Sequence, residues 1–314
     1  MNKITIIGAG SVGATLAYTL AVNSIVEEIA LIDVRAEKAI GEALDIQQGT
    51  PFCTPCSIYA GSYEDAVGSD IVILTSGMPR KAGQTRLDLA QTNVNICKEI
   101  IPQITRYAPD ATYLIVSNPV DIMTYTFCKY SGLPENKILG SGTILDTARL
   151  RARLAQHYKL TQQSAHAYVL GEHGDSSFIP WSLANISALN VEDFHNAIQL
   201  TGNPLPRLDH DEVEEYVRKS GSEVIKRKGA TYYAVSMSVL HVIKRLLGGT
   251  DSVMTVSSML HGEYGIDDVC MSILTVVGKD GVHGHVLPKM PDDEIAKLRY
   301  SAQCLKDVIK SLNL

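Results

Sequence analysis

The first half of the chain alternates short, almost wholly apolar runs with segments in which apolar residues recur every three to four positions. The short runs predict strands buried on both faces, and the longer period predicts helices packed against them. Strands that alternate with helices form βαβ units and a parallel sheet. The predicted strands are 4–7, 28–33, 57–60, 70–75 and 112–117, and the predicted helices are 11–23, 37–47 and 87–107.

The pattern changes after about Gly140. Helical periodicity returns in several segments, and two others alternate as antiparallel strands do. We therefore expect an α/β chain, with a Rossmann-type parallel-sheet domain over 1–142 and a mixed α+β catalytic domain over 143–314, without a flexible linker. The helices predicted in the second half are 144–158, 178–189, 211–228, 231–247 and 292–312, and the strands are 253–260 and 269–277.

Composition narrows the class of protein. The 314 residues are 45 % hydrophobic and 20 % charged, an ordinary globular balance. A net charge of −6 gives no general electrostatic reason to bind nucleic acid. No apolar run approaches the roughly 18 residues of a membrane span, and the N-terminal apolar run is too short for a signal peptide. We expect a cytoplasmic protein without membrane or nucleic-acid partners.

Cysteine usage agrees with that compartment. We expect the six cysteines to be reduced thiols. Cys53 and Cys56 have CxxC spacing, but a zinc ribbon needs a second such pair, which the sequence lacks. We therefore predict a structural role for this pair and no metal site.

A glycine motif, Gly8-Ala-Gly10-Ser-Val-Gly13, follows the first predicted strand and opens the first helix. The motif alone is weak evidence, but this context is the one that dinucleotide binding requires. Gly8 would allow a tight turn, Gly10 the close approach of a pyrophosphate, and Gly13 the close packing of helix and strand. The free N–H groups at the helix start, at Ser11 and Val12, would face the phosphates.

Asp33 completes this nucleotide pattern. It lies 20 residues after Gly13, at the end of the next predicted strand. A carboxylate at this position accepts hydrogen bonds from a ribose diol and repels a 2′-phosphate. We therefore predict NAD, rather than NADP, as the cofactor. The alternative is a glycine turn without a ligand.

Four further segments carry candidate chemistry, although each alone also fits an ordinary structural role. Together, however, the four segments match what hydride transfer to a 2-keto acid needs. That reaction requires a proton donor, a cation for the carboxylate and a group that polarises the carbonyl. A histidine titrates near neutral pH, and arginine binds a carboxylate through a bidentate fork. Asp146 and Arg149 would share one face of a helix. The segments are 117–121, 145–151, the turn 171–175 around His173, and the loop 77–86 with Arg80 and Arg86, whose length is typical of a lid.

Taken in order, GAGSVG, SNPVD, RLDL, LDTARLR, GEHGD and KGATYY resemble the L-lactate/malate dehydrogenase superfamily over essentially the full chain. The resemblance implies an NAD-dependent dehydrogenase of small 2-hydroxy acids whose loop closes after NADH binds. It also implies the following roles: His173 as the proton donor and acceptor, Asp146 as its partner, Arg149 as the substrate-carboxylate ligand, Arg86 as the group that polarises the carbonyl, Asn118 as a ligand of substrate and cofactor, and Thr231 as a pocket residue.

The resemblance leaves the substrate open between pyruvate and oxaloacetate. GEHGD and the segments 178–182 and 229–233 are similar to the corresponding segments of lactate dehydrogenases. Within the superfamily, the chain resembles the bacterial lactate dehydrogenases most. Arg80, however, stands where lactate dehydrogenases have glutamine and malate dehydrogenases have arginine. An unpaired arginine buried over the methyl group of pyruvate would cost roughly 3–5 kcal/mol, although its side chain can also reach water. We favour L-lactate dehydrogenase, with malate dehydrogenase as the alternative.

Two further expectations come from the same resemblance. Arg151 and His166 match positions that bind fructose 1,6-bisphosphate at a subunit interface in many bacterial lactate dehydrogenases, although both also fit ordinary surface cations. The resemblance also implies a homotetramer or a dimer. Two other classes of protein fit the sequence less well. A branched-chain 2-hydroxy-acid dehydrogenase would need a more apolar loop than residues 79–81 provide. A non-catalytic NAD-binding protein would not need the four candidate catalytic side chains, which are those of His173, Asp146, Arg149 and Arg86.

Overall fold

The computed structural model of the chain describes residues 2–78, 86–199 and 204–314, and for Arg86 it describes the backbone alone. The first half of the chain contributes six parallel strands to a nine-stranded sheet. Isoleucine, leucine and valine dominate these strands, which are buried on both faces because helices cover the sheet. The strands are β1 (Lys3–Ile7), β2 (Glu28–Ile32), β3 (Ser57–Ala60), β4 (Ile71–Leu74), β5 (Thr112–Ile115) and β6 (Ile138–Gly140), and the helices between them are α1 (Ser11–Asn23), α2 (Ala36–Gly49), α3 (Arg86–Tyr107) and α4 (Val120–Tyr130).

The second half adds five helices and six strands in its described part. Long antiparallel strands dominate it, and short two-residue strands form a separate three-stranded sheet. The helices are α5 (Ile144–Tyr158), α6 (Val191–Ala197), α7 (His210–Lys228), α8 (Tyr233–Leu246) and α9 (Asp292–Ser311), and the strands are β7 (Ala165–His166), β8 (Asn185–Ile186), β9 (Leu189–Asn190), β10 (Ser252–His261), β11 (Asp267–Gly278) and β12 (Gly281–His285).

The large sheet runs through both halves in the order β12-β11-β10-β6-β5-β4-β1-β2-β3. The two halves join where Ser257 of β10 pairs antiparallel with Gly140 of β6. The chain order reverses between β1 and β4, and ligands of open α/β sheets bind beyond the carboxyl ends of the strands at such a switch. The predicted α/β class, with a Rossmann-type parallel sheet and a second mixed part, is confirmed. The boundary at 142/143 stays a prediction.

One predicted helix is wrong. Residues 178–189 form a bridge between Phe178 and Leu170, a 3₁₀ turn at Trp181–Leu183, and the strands β8 and β9. Pro180 directly precedes the 3₁₀ turn, and both Ser187 and Ala188 have positive φ, at 52° and 66°. Two consecutive left-handed residues reverse the chain between β8 and β9, which a right-handed helix cannot do.

No helix of the described residues is both long enough and apolar enough to span a bilayer.

Candidate active site

The turn between β1 and α1 depends on two glycines. Gly8 has a φ of 111°, and a Cβ there would lie 2.7 Å from the Thr75 hydroxyl oxygen. A Cβ at Gly13 would lie 1.8 Å from the Gly8 carbonyl oxygen, far inside any tolerated contact. The turn therefore has room for hydrogen alone at both positions, and α1 packs directly on the end of β1.

Gly10 differs from these two glycines, because no heavy atom lies within 4 Å of a Cβ built on it. It precedes α1, whose start has no side-chain cap and no acidic residue in its first turn. First-turn N–H groups lack intrahelical acceptors and attract anions. Open space before a bare helix N-terminus fits the pyrophosphate of a dinucleotide, with Ser11 and Val12 at the head of the helix.

Asp33 lies beside this turn, directly after β2. Its Oδ2 accepts the Ala9 N–H at 2.7 Å, and its Oδ1 accepts the Arg35 N–H at 2.9 Å. The carboxylate thereby fixes the glycine turn. A carboxylate can accept about four hydrogen bonds, so acceptor capacity remains for a ribose diol. The nucleotide site thus combines a donor end for phosphates with an acceptor for ribose.

The second cluster joins α5 to the turn around His173. Nδ1 of His173 lies 2.6 Å from Asp146 Oδ2, and Nη1 of Arg149 donates to Asp146 Oδ1 at 2.8 Å. Asp146 and Arg149 are three residues apart on α5 and therefore share a face, as their spacing predicts. The Asp146 side chain is 9 % exposed and the His173 ring 30 % exposed, so the carboxylate is buried and the ring is partly accessible.

The electrostatics of this cluster favour a charged pair. Burial would lower the pKa of His173, but the charge and hydrogen bond of Asp146, assisted by the charge of Asp121, raise it above its ordinary value of 6.5. Burial would raise the pKa of Asp146, and the charges and hydrogen bonds of His173 and Arg149 lower it below 3.8. At neutral pH the site therefore holds an ionised carboxylate beside a ring that can give or take a proton.

The backbone of His173 is held from a different element. Asp121, in the first turn of α4, accepts the His173 N–H at 2.7 Å. The Glu172 N–H donates to the Ser301 hydroxyl of α9 at 2.8 Å, and Gly171 pairs with Ser272 of β11. The turn that carries the ring is thus fixed to three elements. Asp121 is the last residue of the SNPVD motif, and no role for it was predicted from the sequence.

Asn118 lies close to His173, at the carboxyl end of β5. Both residues line a small cavity of about 30 Å³, together with Leu145 of α5 and with Val235 and Ser238 of α8. The two α8 residues were not foreseen, because only the packing of α8 against α5 brings them here. The structure therefore brings Asn118 to the same cavity as His173.

Asn93 is a further residue that sequence reasoning missed. It is 2 % exposed on α3. Its amide nitrogen donates to the Asn118 carbonyl oxygen at 2.7 Å, and its side-chain oxygen accepts the Met78 N–H at 2.8 Å. Asn93 therefore ties the backbone of Met78 to the backbone of Asn118. A polar residue on a buried helix face was the only available signal.

The other residues predicted for the site lie outside the small cavity or outside the described part of the chain. Thr231 is partly buried in the segment before α8 and does not line the small cavity. Arg80 lies outside the described residues, and the side chain of Arg86, at the start of α3, does too. Arg151 donates from Nε to the Ala167 carbonyl oxygen at 3.1 Å, and His166, the residue before Ala167, is exposed.

A dinucleotide turn at the switch of a parallel sheet and a histidine–aspartate pair beside an arginine define an NAD-dependent dehydrogenase. The model of the lactate/malate dehydrogenase NAD-binding domain matches residues 2–140, and that of the lactate/malate dehydrogenase α/β C-terminal domain matches residues 143–313. The chain therefore belongs to the lactate/malate dehydrogenase family. This confirms the resemblance drawn from the motifs and confirms NAD as the cofactor.

Relatives and solved structures agree. An L-lactate dehydrogenase of Acetivibrio thermocellus is 44 % identical over 314 residues, covering 100 % of this chain and 98 % of the relative. An L-lactate dehydrogenase of Clostridium botulinum is 41 % identical over 310 residues, covering 99 % and 96 %.

Among solved structures, a minor L-lactate dehydrogenase of Enterococcus mundtii has a TM-score of 0.94 and 35 % identity, covering 100 % of this chain and 99 % of that one. A malate dehydrogenase of Archaeoglobus fulgidus in complex with NADH has a TM-score of 0.87 and 36 % identity, covering 99 % and 100 %.

Proposed function

We propose that the chain is an NAD-dependent L-lactate dehydrogenase that interconverts pyruvate, NADH and a proton with L-lactate and NAD⁺. The observation that carries this proposal is the His173–Asp146 pair at 2.6 Å with Arg149 on the same carboxylate. The names of the full-length relatives support lactate as the hydroxy acid.

His173 acts as the acid in pyruvate reduction and as the base in lactate oxidation. Its Nδ1 is committed to Asp146, so Nε2 is the nitrogen that gives a proton to the carbonyl oxygen. Asp146 fixes the orientation of the ring and stabilises the imidazolium. Because the pKa of His173 is raised, more of the rings are protonated at a given pH than for an ordinary histidine, which favours proton donation.

Arg149 binds the substrate carboxylate. Its Nη1 is held by Asp146, which leaves the other guanidinium N–H groups for the substrate. Asn118 hydrogen-bonds the substrate oxygen, Thr231 lines the pocket, and Arg86 polarises the carbonyl from the start of α3. Each of these roles is a proposal that follows from the family resemblance and the positions in the chain.

The residues of the first half fit NAD. Open space at Gly10, the bare start of α1 and the Asp33 carboxylate would hold the pyrophosphate and the ribose. Bound NADH supplies the hydride that reaches the carbonyl carbon. Asn118 lies on the cavity that it shares with His173, between the nucleotide half and the catalytic pair.

Malate dehydrogenase is the second candidate, and two observations favour it. Arg80 would pair with the second carboxylate of oxaloacetate, and a malate dehydrogenase is among the similar structures. Steady-state kinetics with pyruvate and oxaloacetate separate the candidates. Arg80→Gln should lower oxaloacetate reduction selectively. A pyruvate preference above about a thousandfold in the wild type, equivalent to about 4 kcal/mol, would reject an inward-facing Arg80.

A homo-oligomer, most simply a tetramer, is proposed as the assembly. A groove of about 590 Å³ lies between α5 and α8, and exposed Met237 and Val253 line it. The exposed Ile40 and Leu44 of α2 offer apolar surface of the same kind. Light scattering of the purified protein tests this, and a monomer at micromolar concentration would contradict it.

We also propose that Arg151 and His166 bind fructose 1,6-bisphosphate as an effector. The support is the hydrogen bond of Arg151 to the backbone of Ala167, which directly follows His166. Titration with the bisphosphate should activate the wild type and leave Arg151→Gln unchanged, and an unresponsive wild type would reject the site. The cytoplasm is the proposed compartment, where the six cysteines would stay reduced.

A further inference from the structure

Two carboxylates, not one, contact the residue at the centre of the proposed site. Asp146 contacts the His173 ring, and Asp121 accepts the His173 N–H at 2.7 Å. Asp121 is 2 % exposed, which is unusual for an aspartate. None of the residue roles implied by the family resemblance involves this buried carboxylate.

We propose that Asp121 is a positioning residue that fixes the backbone of His173 and, through its negative charge, stabilises the protonated imidazole. The inference rests on the proposed role of His173 as proton donor. Asp121 touches neither substrate nor cofactor in this account and acts through the histidine alone.

The surroundings of Asp121 come from four elements. The turn around His173 presents the His173 N–H and Glu172, β10 presents the Ser257 hydroxyl, β11 presents Cys270, and α4 presents its own N-terminus. The helix start and the N–H favour a carboxylate, whereas Glu172 opposes one. His173 is the basic group among these neighbours, so the charge of Asp121 acts mainly on it.

The protonation states match this role. Burial raises the pKa of Asp121 to about 6, and the Ser257 hydroxyl and the His173 N–H offset part of that effect. The pKa of His173 lies above 6.5. The pKa of Asp121 therefore lies below that of His173, so the carboxylate charge can act on the ring as the ring titrates. Asp146 acts on the ring in the same direction and Arg149 in the opposite direction.

Asp121→Asn is the direct test, because the amide keeps an oxygen for the His173 N–H but carries no charge. The pKa that limits pyruvate reduction on the alkaline side should fall by about 0.5 to 1 unit. Above that pKa, kcat/KM should fall about three- to tenfold, and at pH 6 it should approach the wild-type value. NMR titration of the His173 ring should show the same displacement without turnover.

Asp268→Asn is the matched control. Asp268 contacts Tyr125 of the same helix α4 and pairs with Lys129, but it is 57 % exposed. Its loss should leave the His173 pKa unchanged. If Asp121→Asn lowers kcat/KM equally at every pH, or leaves the His173 pKa at the wild-type value, the proposal is wrong.

Ser257→Ala serves as a second variant if Asp121→Asn fails to fold. Removal of the hydroxyl disfavours the ionised carboxylate, so the His173 pKa should fall in the same direction by a smaller amount. An unchanged or higher His173 pKa would overturn the inference. The proposed function fails separately, namely if His173→Asn still reduces pyruvate at the wild-type rate.

Discussion

Replacement of Gly13 by alanine tests how closely α1 must approach β1, and Gly10→Ala provides a matched substitution three residues earlier, outside that contact. A Cβ at Gly13 would lie 1.8 Å from the Gly8 carbonyl oxygen, whereas a Cβ at Gly10 would meet no heavy atom within 4 Å. The same methyl group therefore enters a filled space in one variant and an open space in the other.

The expected magnitudes differ accordingly. Relief of the Gly13 contact requires α1 or the Gly8 carbonyl to move by more than about 1 Å, and overpacking of this kind costs about 1–3 kcal/mol or more. The gain in helix propensity, about 1 kcal/mol, offsets part of it. We expect Gly13→Ala to lower the free energy of unfolding by about 2 kcal/mol and Gly10→Ala to change it by less than about 0.5 kcal/mol.

Binding should separate the two variants in another way. The methyl group of Gly10→Ala occupies the space proposed for the pyrophosphate, so the Kd for NADH should rise at least about tenfold, which is about 1.4 kcal/mol. Denaturant unfolding of the apoprotein gives the stabilities, and NADH fluorescence titration gives the Kd. Wild-type stability of Gly13→Ala would refute the packing argument, and wild-type NADH affinity of Gly10→Ala would refute the placement of the pyrophosphate.

Three further predictions concern the chemistry. Asp146→Asn should lower kcat/KM for pyruvate about 10²- to 10⁴-fold with little change in the Kd for NADH, and a loss below about tenfold would contradict its role. Because the pKa of His173 is raised above 6.5, the protonated ring is present below that pKa and is lost as the pH rises through it, so pyruvate reduction should fall and lactate oxidation should rise across the same interval of a pH–rate profile. If pyruvate reduction instead rose and lactate oxidation fell with pH, the assignment of His173 as the proton donor and acceptor would be refuted. Asp33→Ser should lower the NADH to NADPH preference in kcat/KM at least about tenfold, and an unchanged preference would exclude Asp33 as the ribose ligand.

The sequence predicted the parallel half well, because its signals are local. Strands such as β4 are continuous apolar runs, and the glycine motif lies between a strand and a helix within one βαβ unit. The second half was harder. β6 has three residues and β12 carries two glycines and two histidines, so neither has a recognisable strand period, and the helices α4 and α6 were also missed.

The contacts of the candidate site also differ in how far they could be predicted from the sequence. Asp146 and Arg149 could be paired from their spacing on one helix, and the contact of Asp146 with His173 followed from the family resemblance. The contact of Asp121 with the His173 N–H spans 52 residues and involves the backbone of one partner, so no side-chain pattern announces it. Asn93 likewise serves main-chain groups of two distant segments. Such contacts become visible only when the fold brings the segments together.

In the proposed function, His173 carries the proton in NADH-dependent reduction of pyruvate. The most direct test compares single-turnover NADH oxidation by the wild type and His173→Asn at saturating pyruvate, with NADH binding measured on both. The proton-transfer role of His173 requires that the wild type reduces pyruvate and that His173→Asn binds NADH with the same Kd but turns over at least about 10²-fold more slowly. Turnover of His173→Asn within a few-fold of the wild type would contradict it.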